Sequence, residues 1–295
     1  VLPALSLVVT PGKSEAVLAA AVEAERRGFG GIACPSLGPA LALCGALAHA
    51  TTTIPFWTSI QPIYLQQPME LARTAAFIGE VSGGRFSLGL GVSHSPVNRR
   101  LGVQTGKPLS DTRAYVEALR QSAGKATLPP VVLATLRDKM LDLAVEVADG
   151  AVWANASLAH FATQRARVPA DRPFFVGNMI PTVIDDDRDA ARAVNRRTMT
   201  GYVVLPNYRN YWKQFGWVEE MEAIERALEA GERDRLTELM SDAWLDDCTL
   251  SGSATQVRDG FEAWREAGCA TPIAVMSSTS GGQLKAVEEL FAAYA

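Results

Sequence analysis

The stretch Ser82-Gly83-Gly84-Arg85-Phe86-Ser87-Leu88-Gly89-Leu90-Gly91-Val92-Ser93-His94-Ser95-Pro96 decides how this chain is read. Gly83 and Gly84 allow the positive φ that ends a preceding helix. Phe86 to Val92 has the length and apolar character of a buried parallel strand. Gly89 and Gly91 remove side chains where another group must approach the backbone. The strand then delivers Ser93 and His94, one of three histidines, to its carboxyl end. That is where parallel α/β proteins place their chemistry.

The same alternation extends in both directions. Upstream, strands are expected at Leu5–Thr10, Gly31–Cys34 and Ile54–Ile60. Helices lie between them: one capped by Ser14 with Val17, Ala20, Ala21 and Ala24 on its inner face, a second from about Pro39 to Ala48, and a third opening at Pro68. Downstream, Ser110 is placed to cap a helix to about Gln121. Strands follow at Val131–Ala134, Gly150–Ala154, Pro173–Gly177 and Thr271–Met276, with helices near 138–148, 158–165 and from 283. Eight strands separated by helices fit a single (β/α)8 TIM barrel domain over residues 1–295, an α/β fold. An open doubly wound sheet is the alternative.

Two segments depart from a minimal barrel. The connection from Ser93 to Leu109 is long and carries Pro96, Arg99, Arg100, Lys107 and Pro108, and connections of this length are usually functional or disordered. The second is a helical insertion at about 185–247, between strands seven and eight, with the aromatics Tyr202, Tyr208, Tyr211, Trp212, Phe215 and Trp217. These aromatics read first as packing residues.

Composition narrows the function. The net charge of -4 and the lack of a long basic run argue against nucleic acid. No apolar run approaches the roughly 20 residues that span a bilayer, and the first residues lack the pattern of a secretory leader. Cys34, Cys44, Cys248 and Cys269 are scattered, and with isolated histidines they make no metal-ligand spacing. The expectation is a cytoplasmic protein with reduced thiols and a small-molecule substrate. No nucleophile elbow or paired carboxylates stand at the strand ends, which suits redox chemistry carried by a cofactor better than hydrolysis.

Several segments in this order carry a resemblance. They are Ala24-Glu25-Arg26-Arg27-Gly28-Phe29-Gly30, Ala48-His49-Ala50-Thr51-Thr52, Ser82 to Gly91, Ala148-Asp149-Gly150 and Leu205-Pro206-Asn207-Tyr208. Through them the chain resembles the bacterial luciferase-like superfamily, in particular its short coenzyme F420-dependent oxidoreductases. The resemblance implies a TIM barrel binding coenzyme F420, or alternatively FMN, at the barrel mouth. It implies hydride transfer between the deazaflavin C5 and an organic substrate, and relatives that pair through helices point to a homodimer. The alternatives are an FMN-dependent monooxygenase and a flavin- or deazaflavin-binding barrel without catalysis.

The resemblance also assigns residues. It implies a non-prolyl cis peptide between Ser59 and Ile60 supporting the cofactor ring, with Gly91, Val92, Ser93 and His94 along the ring edge. Ala134, Thr135, Leu136 and Arg137 correspond to a segment contacting the cofactor's phosphate or linker, and Ser278 to Gly282 is a competing phosphate position. His94 is the candidate proton-handling residue, because its ordinary pKa suits proton transfer near neutrality. The chain departs from the pattern after strand two, where many relatives carry an acid and a histidine. Here Cys34-Pro35-Ser36-Leu37-Gly38 leaves Ser36 as a hydrogen-bond partner only. His49 and His160 are expected to be structural, the latter on an exposed outer helix.

Overall fold

The computed structural model describes residues 1–295. Its chain falls into two compact units, Val1–Trp153 with Arg167–Gly177, and Ala154–Ala166 with Asn178–Ala295. The first unit holds β1 (Ala4–Ser6), α1 (Ser14–Arg27), β2 (Ile32–Cys34), α2 (Ala40–Ala50), β3 (Phe56–Thr58), β4 (Gln61–Pro62), α3 (Pro68–Val81) and β5 (Phe86–Gly91). It continues with α4 (Ser95–Arg100), α5 (Pro108–Ala123), β6 (Val131–Ala134), α6 (Asp138–Val147) and β7 (Gly150–Ala154), whose last residue begins the second unit. Its strands pair in parallel in the order β1, β2, β3, β5, β6, β7, with β4 continuing the line of β3 along β5. This repetition of parallel strand and helix is the (β/α)8 barrel class expected from the sequence.

Strand residues such as Leu5, Ile32, Phe56, Leu88 and Leu133 are fully buried. The inner faces of the helices, for example Val17, Ala21 and Ala24 of α1, cover them. Ala20 is only half-buried. The glycine turn works as read: Ser82 ends α3, and Gly83 and Gly84 follow at φ 63° and 84°.

The amino-terminal side of this unit is held by the residues that carried the resemblance. The Glu25 carboxylate accepts the N–H groups of Thr52, Thr53 and Ile54 at 2.6–2.9 Å. Burial would raise its pKa, but these donors and the Thr53 hydroxyl outweigh that and hold it at about 2. Arg85 donates to the carbonyls of Ala48, Thr51, Ile54 and Ser82 and to the Thr51 hydroxyl. Asp149 accepts the Val131 N–H at 2.9 Å. Those markers therefore join strand and helix ends, and they are structural.

The second unit contains α7 (Leu158–Arg165), most of β8 (Phe175–Ile184), α8 (Arg188–Val203), α9 (Pro206–Gln214) and α10 (Val218–Glu229). After a short 3-10 turn come α11 (Asp242–Cys248), β9 (Leu250–Gly252), α12 (Ala254–Glu266), β10 (Thr271–Ser277) and α13 (Gln283–Ala293). Half of the insertion aromatics are core, while Tyr202, Phe215 and Trp217 are half-buried. Tyr208, Tyr211 and Trp212 are buried, and Trp212 meets Trp244 edge-on at 4.9 Å. Arg192 joins α8 to α11 through Asp246 (2.6 Å) and Asp242 (2.9 Å), and Glu225 of α10 takes Arg209 of α9 at 3.0 Å.

Several expected boundaries move. Ser14 is the first helical residue and Lys13 stands at the cap position without a side-chain bond. Pro108, preset in φ for a first helical turn, starts α5 two residues before Ser110. The 93–109 connection contains α4. Strand seven starts two residues later than expected and runs on to Ile184, because Asn178, Pro181 and Thr182 interrupt an apolar pattern that the extended backbone continues through. The inserted region adds β9 and α12 after its last expected helix.

Candidate active site

The carboxyl ends of β3, β5 and β6 in the first unit bring most of the candidate residues together. From Trp57↔Ser87 to Gln61↔Leu90 the register advances four residues on the β3–β4 side and three on β5. Thr58, Ser59 and Ile60 therefore form a one-residue bulge. The Ser59–Ile60 peptide is cis, at the expected position. Thr58 fills the gap in the ladder: its hydroxyl donates to the Gly89 carbonyl at 2.8 Å and accepts the Gly89 N–H at 2.9 Å. A Cβ on Gly89 would lie 1.8 Å from the Thr58 carbonyl oxygen, so this close approach requires glycine. Beyond it, Ile63 N–H reaches the Gly91 carbonyl and Ser59 N–H the Cys34 carbonyl, both at 2.9 Å.

Gly91 explains itself in the same way. A Cβ there would stand 2.9 Å from Ile60 Cγ1 and 3.0 Å from Ala134 Cβ. The Ile60 and Ala134 side chains thus both close on Gly91, making an apolar ledge across three adjacent strand ends. Ile60 and Ala134 are half-buried, while Ser59 is buried.

Past Gly91 the chain turns sharply. Ser93 has φ 60°, a left-handed conformation that costs a non-glycine residue about 1–2 kcal/mol. The turn is fixed by Asn98 of α4, buried and donating from Nδ2 to the Val92 carbonyl at 2.9 Å. His94 stands at the start of α4, its carbonyl accepting the N–H groups of Val97 and Asn98. Burial lowers the His94 pKa below its usual value, so its imidazole is neutral at pH 7.

The far end of the same connection is held by Asp111 on α5. Its Oδ2 accepts the Tyr64 hydroxyl at 2.6 Å and the Gly106 N–H at 2.9 Å. Tyr64 follows β4, so this latch joins the 93–107 connection to the segment leaving the ledge. Burial first, and then the Asp111 carboxylate, push the Tyr64 phenol well above its ordinary pKa. Tyr64, Asn98 and Asp111 were not singled out from the sequence, and Thr58 stood out only as the residue before the cis-peptide position. A polar residue in a buried strand, at Thr58, was the available signal.

The β6 end adds Thr135, Leu136 and Arg137. Thr135 is buried and donates its N–H to the Val152 carbonyl at 2.8 Å, yet its hydroxyl has no partner. Arg137 is exposed at the cap position of α6 without a capping side-chain bond. A buried unpaired hydroxyl and an exposed guanidinium at a helix start form a donor set that fits an anionic cofactor linker. Ser36 is exposed on the turn after β2, two residues beyond Cys34, whose carbonyl takes the Ser59 N–H.

The competing segment in the second unit is occupied by acids. Ser278 donates to Glu289 at 2.9 Å, and Thr279 donates to Asp185. Two carboxylates on a phosphate position are repulsive, so Ser278–Gly282 is an acid-tethered turn. In the same unit His160 is half-buried and stacks on Phe215 at 4.9 Å, where full exposure was expected.

With this geometry in place, the comparisons define the class: residues 6–271 match the luciferase-like monooxygenase family, and the chain belongs to it. Among individual relatives, a Mycobacterium tuberculosis protein that carries the name of a coenzyme F420-dependent oxidoreductase is 24% identical over 287 residues, covering 79% of this chain and 80% of the relative. The 5,10-methylenetetrahydromethanopterin reductase of Archaeoglobus fulgidus is 25% identical over 261 residues, 77% of this chain and 78% of the relative. In structure, the coenzyme F420-dependent tetrahydromethanopterin reductase from Methanopyrus kandleri superposes with a TM-score of 0.76 over 100% of both chains at 18% identity.

Proposed function

We propose that this protein is a coenzyme F420-dependent oxidoreductase that moves a hydride between the deazaflavin and a small organic substrate. The observation that carries the reading is the ledge, where the Ile60 and Ala134 side chains both close on Gly91, three residues before His94. It offers a flat apolar support with polar groups at one margin. The names of the M. tuberculosis and A. fulgidus relatives support the cofactor and reaction class.

When bound, the deazaflavin supplies a hydride donor or acceptor at C5. The chain's own residues then have modest tasks. Ser59 and Ile60 support the ring, and Gly91, Val92 and Ser93 let it approach the backbone. Thr135, Leu136 and Arg137 hold the linker. His94, neutral at pH 7, takes the proton from a substrate hydroxyl in the oxidising direction. Asn98 keeps the turn that presents it. Phe77 and Met69, 60% and 48% exposed on α3, support a homodimer. The four buried free thiols support a cytoplasmic setting.

The test is a fluorescence-quenching titration with coenzyme F420 and with FMN, followed by turnover across a panel of alcohols and carbonyls. F420 is expected to bind at least tenfold tighter. In His94→Ala, F420 affinity should stay within threefold while turnover falls about 10²–10⁴-fold. For the wild-type protein the oxidation rate should fall with acid, with a midpoint below 6.5, the ordinary histidine value. Failure of both cofactors to bind overturns the reading. Undiminished turnover in His94→Ala removes the proton role alone.

A further inference from the structure

We infer that the connections leaving β5 and β6 bind the oligo-carboxylate tail of the deazaflavin cofactor through Arg99, Arg100, Lys107, Arg137 and Lys139. The inference rests on the deazaflavin reading and extends it to a second subsite. From Ser93 to Ser110 the chain has three cations and no Asp or Glu, within a protein of net charge -4. None of the five side chains makes an ion pair or hydrogen bond, and all five are exposed.

Several other arginines of the first unit are matched locally. Arg26 and Arg27 share Glu23, Arg113 takes Glu146, and Arg167 takes Asp142. Asp138, which stands between Arg137 and Lys139 in the chain, faces Arg167 at 3.9 Å. The cluster is therefore left with its own repulsion, which works against the compact state and asks for an anionic partner.

Register places the cluster. Leu90 pairs with Leu133, so Gly91 and Ala134 end side by side and the two connections leave neighbouring points of the sheet. At their root stands Thr135, buried with an unpaired hydroxyl. Lys139 lines a groove between α5 and α6 with Leu109 and Ser110, and of the acids in that groove Glu146 is paired with Arg113 and Asp142 with Arg167, leaving Glu117. An anionic chain that starts at the β6 end thus meets cations along both connections.

The cofactors differ in the matching property. The side chain of coenzyme F420 continues past its phosphate into glutamyl units, each bearing a carboxylate, whereas FMN ends at one phosphate. Guanidinium groups pair with carboxylates through two parallel N–H donors. Exposed contacts are individually weak, so the effect should be cumulative and sensitive to salt.

The test compares coenzyme F420 with the same deazaflavin riboside lacking phosphate and tail, by quenching titration at low and high salt. The proteins are the wild type, Arg99→Ala/Arg100→Ala, Lys139→Ala, and a control Arg120→Ala/Lys125→Ala whose unpaired cations lie at the other end of α5. Expected are a roughly tenfold loss of F420 affinity in Arg99→Ala/Arg100→Ala, a roughly threefold loss in Lys139→Ala, and riboside affinity within twofold throughout. The salt dependence of F420 binding should shrink in both variants but not in the control. Equal losses for both ligands, or none, overturn the tail site while the cofactor reading stands. Failure of the wild type to bind either deazaflavin overturns both.

Discussion

In the first unit the strand ends at Ile60, Gly91 and Ala134 are lined by glycine and small side chains, and the connections beyond them carry unpaired cations. In the second unit the segments after β8 and β10 are tied by Asp185 and Glu289 to the hydroxyls of Thr279 and Ser278. Its inserted helices bury Tyr208, Tyr211, Trp212 and Trp244. One unit keeps backbone and positive charge accessible, and the other fills its space with rings and balanced ions. The difference teaches where an anionic, planar ligand meets least competition from the chain itself. It also separates residues that matter for stability from residues that matter for binding.

The largest expected effect breaks that comparison if it fails. Trp212 is fully buried, edge-on to Trp244, and donates from Nε1 to the Asn155 carbonyl at 3.2 Å. Trp212→Ala should cost about 3–5 kcal/mol in urea unfolding. Ile60 is half-buried on the ledge, so Ile60→Ala should cost about 1 kcal/mol while lowering cofactor affinity. Equal stability losses would mean that the ledge is a packed core and no support for a ligand.

A second, smaller effect concerns the amino-terminal side of the first unit. Glu25→Gln keeps the shape but loses the charge that gathers the N–H groups of residues 52–54, at a cost of about 1–2 kcal/mol. The folded pKa of Glu25, about 2, lies below its ordinary 4.5. Its contribution is therefore complete above pH 4.5 and lost as pH falls towards 2. The wild-type minus Glu25→Gln difference in unfolding free energy should shrink over that window. A difference that persists at pH 2 would show that Glu25 acts by shape.

Much of the fold was legible because hydrophobic period and turn chemistry agree locally. α3 begins at Pro68 and ends before Gly83 as the residues dictate, and Gly150–Ala154 and Leu158–Arg165 match their expected spans. The full length of strand seven was not legible, since Asn178 and Pro181 read as breakers and only pairing shows the residues beyond Gly177 extended. At the site, Gly91 was legible because glycine is a local signal, and the cis Ser59–Ile60 peptide was implied by the family resemblance. The partners that hold the site did not follow. Thr58 meets Gly89 across 31 positions and Tyr64 meets Asp111 across 47, and no local pattern reports such pairs. The markers Glu25 and Arg85 carry the opposite lesson, being easy to see and structural in role.

The Asp111 latch gives the finest test of how the accessible side of the first unit is kept in place. Two donors share one carboxylate oxygen, and a Cβ on Gly106 would lie 2.7 Å from it. The loop is thus held by the tyrosine hydroxyl and by its own backbone. Tyr64→Phe removes one donor from an acceptor that retains the other and reaches water. The expected cost is about 0.5–1.5 kcal/mol. That loss should appear as local opening, because the 101–107 segment is largely exposed and has few buried apolar contacts. Hydrogen exchange at the Gly106 amide should speed up by about threefold to tenfold, with the Leu88 and Leu90 amides unchanged. If all three amides accelerate together, Tyr64 supports the sheet, and the connection bearing His94 is no separate element. If only Gly106 responds, the latch acts on that connection alone, and the variant's Michaelis constant should rise while its unfolding midpoint stays close to wild type.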